Sequence, residues 1–213
     1  MSLTPRAALA AVIASAWLSG SGCGWTSANA RDARDVPRAS ALPQVPPSTL
    51  RALDVERFLG KWHIVATNYD FWKTRTHATV TYQRIGAAGG KPVKLRDVVA
   101  YRDLPWCPAK RPSPGDVVGV DIQDPSRAGH FQWRGDGLLH LIRSQWFVVW
   151  VSPDYQHAVT WFADSNFGTG SGTDVYSRSP SITDAKLGEV LDEARRDPFI
   201  AERSRGMFYV PQN

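Results

Sequence analysis

The chain predicts an all-β domain with one flanking helix, folded as an eight-stranded antiparallel up-and-down β-barrel. Three observations lead there. Eight short extended runs follow one another, their connections are mostly short and rich in turn formers, and one amphipathic segment comes only after the eighth run. Eight strands in that arrangement can close on themselves and leave no edge exposed.

Residues 1–22 read as an export signal. Arg6 is the sole positive side chain of a short leading region, and residues 7–18 form an apolar run too short to span a bilayer as a helix. Ser21-Gly22-Cys23 sets small residues before a cysteine, which makes Cys23 the candidate lipidated first residue of a mature lipoprotein. Gly20 stands where a leucine is usual in such signals. Ala28-Asn29-Ala30 offers the competing site, simple secretion with cleavage after Ala30. Residues 23–50 read as a flexible tether, because Pro37, Pro43, Pro46 and Pro47 prevent a regular element. The barrel domain takes residues 51–213.

Its strands are expected over 61–68, 78–85, 92–102, 116–123, 129–134, 145–152, 157–163 and 173–178. Gly-rich residues 86–90 and the Asp124-Pro125 turn serve as short links. A helix over about 182–197 follows, capped by Ser181 with Asp184 as reciprocal partner. Leu187, Val190, Leu191 and Ala194 share one face of it, and Asp197-Pro198 ends it. Residues 207–210 read as a short last strand.

Composition narrows the function classes. With 43% hydrophobic and 21% charged residues the chain is globular rather than disordered. A net charge of +5 favours anionic partners such as fatty acids, phospholipid head groups or a membrane surface. The basic residues are scattered, which argues against nucleic acid. His63, His77, His130, His140 and His157 share no metal spacing, so neither metal nor cofactor is expected. Gly168 to Gly172 precedes a strand, not a helix, and no helix N-terminus waits there for a phosphate. Cys107, between Trp106 and Pro108, reads as a loop thiol. No nucleophile elbow or Ser/His/Asp order is present, and no enzyme is expected.

Gly60-Lys61-Trp62, Asp154-Tyr155 and Arg178 fall at the start of the first strand, between the sixth and seventh, and at the end of the eighth. In an up-and-down barrel all three lie at one end, where Trp62 and Arg178 can stack as a cation–π plug. Together these residues resemble the lipocalins, and more closely their bacterial lipoprotein branch that includes apolipoprotein D-like proteins. The resemblance covers about residues 50–213, and the ending Phe208 to Gln212 is similar too. His63 and Pro153 depart from the family pattern.

The plug sets the inward phase of two strands: Ile64 and Ala66, then Asp174 and Tyr176. For the other strands, similarity to lipocalins assigns Val80, Tyr82, Phe131, Trp133, Trp146, Val148, Trp150, Thr160 and Phe162 to the ligand cavity. A carboxylate facing an apolar barrel is costly unless paired, so Asp174 either orients a ligand amine or hydroxyl or lies solvated near the mouth. The open end gathers Phe71, Trp72, Lys73, Arg75, Trp106, Lys110, Arg111, Leu138, Leu139, Leu141, Ile142, Arg143 and Phe167. That mixture suits anionic lipid or a fatty-acid head group; the alternative is packing under loops or a homodimer contact. The Pro-rich link 103–115 reads as a stiff lid.

The resemblance implies a non-enzymatic carrier at the cell envelope. Its ligand would be a small hydrophobe, a fatty acid or lysophospholipid, and its membrane attachment the lipid at Cys23. The alternatives are a partner-docking module whose barrel is filled, and a lipocalin-type enzyme using Cys107 or Asp174.

Overall fold

Period-two alternation of side chains builds nine strands into one antiparallel sheet that closes on itself. The computed structural model describes residues 50, 52–86, 92–103 and 114–212. The export signal, Cys23, residues 23–49 of the tether, and residues 104–113 of the Pro-rich link with Trp106, Cys107, Lys110 and Arg111 lie outside the described residues.

A short helix, α1 (Val55–Phe58), leads into β1 (Gly60–Thr67). A 3-10 turn over Asp70–Thr74 precedes β2 (Arg75–Arg84). Then come β3 (Lys94–Asp103), β4 (Pro114–Gln123), β5 (His130–Gly135), β6 (Arg143–Val151), β7 (His157–Phe162) and β8 (Gly172–Ser177). Each strand from β2 to β8 pairs with the next, β8 pairs with β1, and the β1–β2 pairing closes the barrel. All eight expected strands are present, with β2 three residues longer at its start than the sequence suggests. His77, at φ 54°, sits in that added stretch, where the register with β3 shifts.

The helical segment differs from expectation. Thr183, not Ser181, caps α2 (Asp184–Ala194), its side chain accepting from the Lys186 amide. Asp197-Pro198 ends no helical structure for long, because the same pair starts α3 (Pro198–Arg203). Asp197 accepts from the Phe199 amide, and Pro198 sits in the first turn, where its missing N–H costs nothing. Val190, Leu191, Ala194 and Ile200 pack against Val65, Phe147, Val149, Val159, Trp161 and Val175 on the outside of the barrel. This makes a second core, separate from the one inside the barrel. Each Val, Leu or Ile of this set contributes about 1.5–3 kcal/mol by leaving water. Among the described residues no helix is long and apolar enough to cross a membrane.

Two bulges change which residues reach the interior. One lies in β1 between Ile64 and Ala66, the other in β6 between Val148 and Trp150. Each extra residue resets the alternation. Val65 and Ala66 therefore both join the outer core, and Thr67 turns inward. Val149 and Trp150 likewise pack with the outer core. The expectation that Ala66 and Trp150 face the cavity is corrected on this ground.

The three stretches Gly60-Lys61-Trp62, Asp154-Tyr155 and Arg178 meet at the closed end. The Arg178 guanidinium lies 3.6 Å over the Trp62 ring. It donates to the carbonyls of Lys61 (2.8 Å), Arg57 (2.8 Å), Leu59 (2.9 Å), Phe58 (3.3 Å) and Tyr155 (3.4 Å). Trp62 Nε1 donates to the Phe58 carbonyl at 2.8 Å. Gly60 has φ +91°, a conformation side chains rarely adopt, and a Cβ there would touch Arg178. The Tyr155 hydroxyl accepts from the Asp54 amide at 2.9 Å, which ties the cap of α1 to the β6–β7 turn.

At the other end β1 and β2 part company, since their pairing covers only residues 60–63 of β1. The C-terminal segment fills that seam. β9 (Phe208–Tyr209) pairs with Ala66 and Thr67. Val210 donates to the Val65 carbonyl at 3.0 Å, and the His77 amide donates to the Pro211 carbonyl at 2.8 Å. Gln212 Nε2 bridges the seam by donating to Ile64 (2.8 Å) on β1 and Ala78 (3.3 Å) on β2.

Candidate functional site

The barrel interior is neither fully open nor filled. Phe58, Trp62 and Phe131 pack its lower half, with Phe131 stacked on Trp146 at 4.5 Å and Trp146 stacked on Tyr82 at 5.2 Å. Above them lies a cavity of about 150 Å³. The turn at residues 70–74 folds over it as a lid. Tyr69 stacks on Phe71, Phe71 meets Trp72 and Tyr101 edge-on, and Tyr69 meets Phe162 edge-on at 4.9 Å. Arg75 locks the lid from behind: its guanidinium lies 3.6 Å over Phe71, donates to the Phe71 carbonyl and faces Asp103 at 3.7 Å.

Nine of the thirteen residues assigned to the cavity line it: Ile64, Val80, Tyr82, Trp133, Trp146, Thr160, Phe162, Asp174 and Tyr176. Phe131 and Val148 are in the inner core but do not line the cavity, and Phe131 is stacked on Trp146. Ala66 and Trp150 lie on the other face of the wall, for the bulge reason given above. Of the residues expected at the open end, Trp72 and Arg75 are buried in the lid. Leu138, Leu141 and Phe167 are the exposed apolar tips there, at 56%, 60% and 57% exposure.

The lining also includes residues that the sequence reading did not assign, chiefly Tyr69, Asp97, Val99, Val117 and Ser144. Asp97 on β3 is the important one. Lys94, Arg96 and Arg102 point outward, which sets Leu95, Asp97, Val99 and Tyr101 on the inner face. That charge pattern was a usable signal. On β4 the polarity is inverted, with Asp121 wholly buried and its neighbour Ile122 exposed, so no alternation in the sequence marks it.

These acids form a polar belt around an apolar space. Asp174 Oδ1 accepts from Thr67 Oγ1 at 2.6 Å. Its carboxyl is pushed up to about 7 by burial, and the Thr67 bond pulls the other way. The Tyr176 and Tyr82 hydroxyls meet at 3.3 Å. Tyr82 pairs across the strands with Asp97. Asp121 Oδ1 accepts from Trp146 Nε1 at 2.7 Å. Burial raises both Asp97 and Asp121 above the ordinary carboxylate range. The charge of Asp97 adds to the rise at Asp121, while the Trp133 indole offsets the rise at Asp97. Gly119 on β4 makes room for that indole: a Cβ there would lie 2.2 Å from Trp133 Nε1. Burial also pushes the Tyr69 phenol up to about 12. Among the described residues no cluster of His, Cys, Asp and Glu could hold a metal ion.

A half-open, aromatic cavity with a few fixed polar groups can hold and orient one small molecule. No family model matches the sequence, and no curated protein matches it. Solved structures do. The major allergen Per a 4 from cockroaches is 16% identical, covers 78% of this chain and 92% of its own, and superposes with a TM-score of 0.52. Insecticyanin from the tobacco hornworm Manduca sexta is 14% identical, covers 81% and 87%, and gives 0.51. At such identities the likeness shows the fold: a closed eight-stranded antiparallel barrel of the lipocalin and calycin type.

Proposed function

We propose that the protein is a non-enzymatic carrier that holds one small hydrophobic ligand per barrel at the cell envelope. The observation that carries this reading is the aromatic cavity of about 150 Å³, closed below by the Arg178–Trp62 plug and covered by the 70–74 lid. An engineered apolar cavity of about that volume stays dry and takes up benzene, so a compact hydrophobe enters with little desolvation cost. A fatty acid or lysophospholipid, the ligand suggested by sequence, needs more length. Its acyl chain fits only when Tyr69, Phe71 and Trp72 swing out. The exported, lipid-anchored location rests on residues 1–30 alone, and the mass of the mature N-terminus tests it.

Native mass spectrometry of the domain purified without detergent tests the carrier reading, followed by organic extraction. One bound hydrophobe per chain is the expected result, and extraction names its class. A chain that is empty, and that also fails to take up the one-ring probe n-propylbenzene by tryptophan fluorescence, refutes the reading.

A further inference from the structure

The carrier reading leaves the chemical class of the ligand open, and the cavity wall narrows it. Among the described residues the lining carries two carboxyl groups, Asp97 and Asp174, and no Lys, Arg or His. Arg75 is the nearest buried cation, but Asp103 and the Phe71 carbonyl hold it behind the lid. Resting on the carrier reading, we propose that the cavity takes a monocationic amine on a compact hydrophobic body, with its ammonium seated against Asp97.

Three observations lead to this assignment. Asp97 is only 6% exposed and lines the cavity, yet its Oδ1 has no hydrogen-bond partner among the described residues. Buried carboxylate oxygens are almost always paired, because an unmet one forfeits its hydration without return. An ammonium brings three donors and the opposite charge. Trp133 serves the Asp97 carboxyl and Thr67 serves Asp174, so Asp97 Oδ1 is the lining carboxylate oxygen left to a ligand. The surroundings suit a cation as well. Among the described residues no Lys, Arg or His of the lining competes with it for the carboxylate. An anionic head group would instead lie beside two buried acids with no cation in the wall. The body of the ligand must be compact, since the remaining space holds about one aromatic ring.

Three near-isosteric probes separate the cases: 2-phenylethylamine, n-propylbenzene and 3-phenylpropanoate. Each is titrated into the purified chain and read by tryptophan fluorescence. The amine is expected to bind at least about tenfold more tightly than either of the others, the gain typical of a buried charge-assisted hydrogen bond. Asp97→Asn should abolish that preference while n-propylbenzene keeps its affinity. If the amine binds no better than n-propylbenzene, the inference fails and the carrier reading stands. If none of the three binds, the carrier reading itself fails and takes the inference with it. The comparison on the unaltered chain decides the matter even should Asp97→Asn not fold.

Discussion

Replacing Arg178 with methionine removes the closed-end plug while keeping much of its length and apolar stem. The loss divides into two parts. The stacking on Trp62 at 3.6 Å is worth about 0.5–2 kcal/mol. Of the five carbonyls that Arg178 serves, those of Lys61 and Arg57 are exposed enough to take water instead. Phe58 keeps its bond from Trp62 Nε1, and Tyr155, at 3.4 Å, gives up only a long bond. The Leu59 carbonyl, 2.9 Å away and partly buried, loses a charged donor, at about 1.5–3 kcal/mol. The sum is about 2–5 kcal/mol, a large share of the roughly 5–15 kcal/mol that holds an ordinary domain together. Urea unfolding followed by tryptophan fluorescence measures it, as a lower midpoint at unchanged slope. Arg178→Lys should recover less than half, because an ammonium cannot both stack flat and span several carbonyls. A loss below about 1 kcal/mol for Arg178→Met would mean that the plug is ornamental and that the barrel floor is held by Phe58 and Trp62 packing alone.

Two further substitutions test the interior. Folding lifts the Asp174 carboxyl to about 7, so the native state binds its proton more tightly than the unfolded chain does. Its contribution to stability is then full below the unfolded carboxyl range near pH 4 and is lost as pH rises through about 7. Asp174→Asn can still accept from Thr67 and escapes that loss. It should melt higher than the parent at about pH 8, by an amount of order a few kcal/mol, with the difference shrinking towards about pH 5. Equal melting shifts at both pH values would count against a buried, protonatable Asp174. Gly119→Ala drives a methyl into the Trp133 indole, at a cost of about 1–3 kcal/mol in overpacking. The displaced ring has the cavity as its space to move into, so calorimetry should show lower stability together with weakened uptake of n-propylbenzene.

Much of the barrel was legible because its strands obey local rules. Runs such as 157–163 and 173–178 are short, carry β-branched and aromatic residues and are bounded by turn formers, and the plug residues lie at fixed strand ends. What escaped is set by contacts that no local pattern records. The bulges at Val65 and Val149 add one residue each, and nothing in Ile64-Val-Ala66 or Val148-Val-Trp150 signals that the second core has drawn both neighbours to one side. Asp121 reads as a surface acid because its burial depends on Trp146, 25 residues away. The lid turn, rich in aromatic and basic residues, suggested a lipid-facing rim. Its aromatics instead satisfy one another over the cavity, and Arg75 turns back to hold them. Thr183 and Ser181 are both acceptable caps by type, and it is the Thr183 side chain that accepts from the Lys186 amide.

The C-terminal seam has a consequence for how the molecule is born. Gln212 joins Ile64 to Ala78, partners 148 and 134 positions earlier in the chain. The strands on either side can pair along their lower halves as soon as both exist. The upper half of their junction stays unzipped until residues 208–212 have been made and have travelled back to the start. Contacts so remote in sequence form late and slowly. The wall beside the cavity is thus completed by the segment 208–212, and a chain shortened before Phe208 should show a slit there through which a ligand passes without lifting the lid.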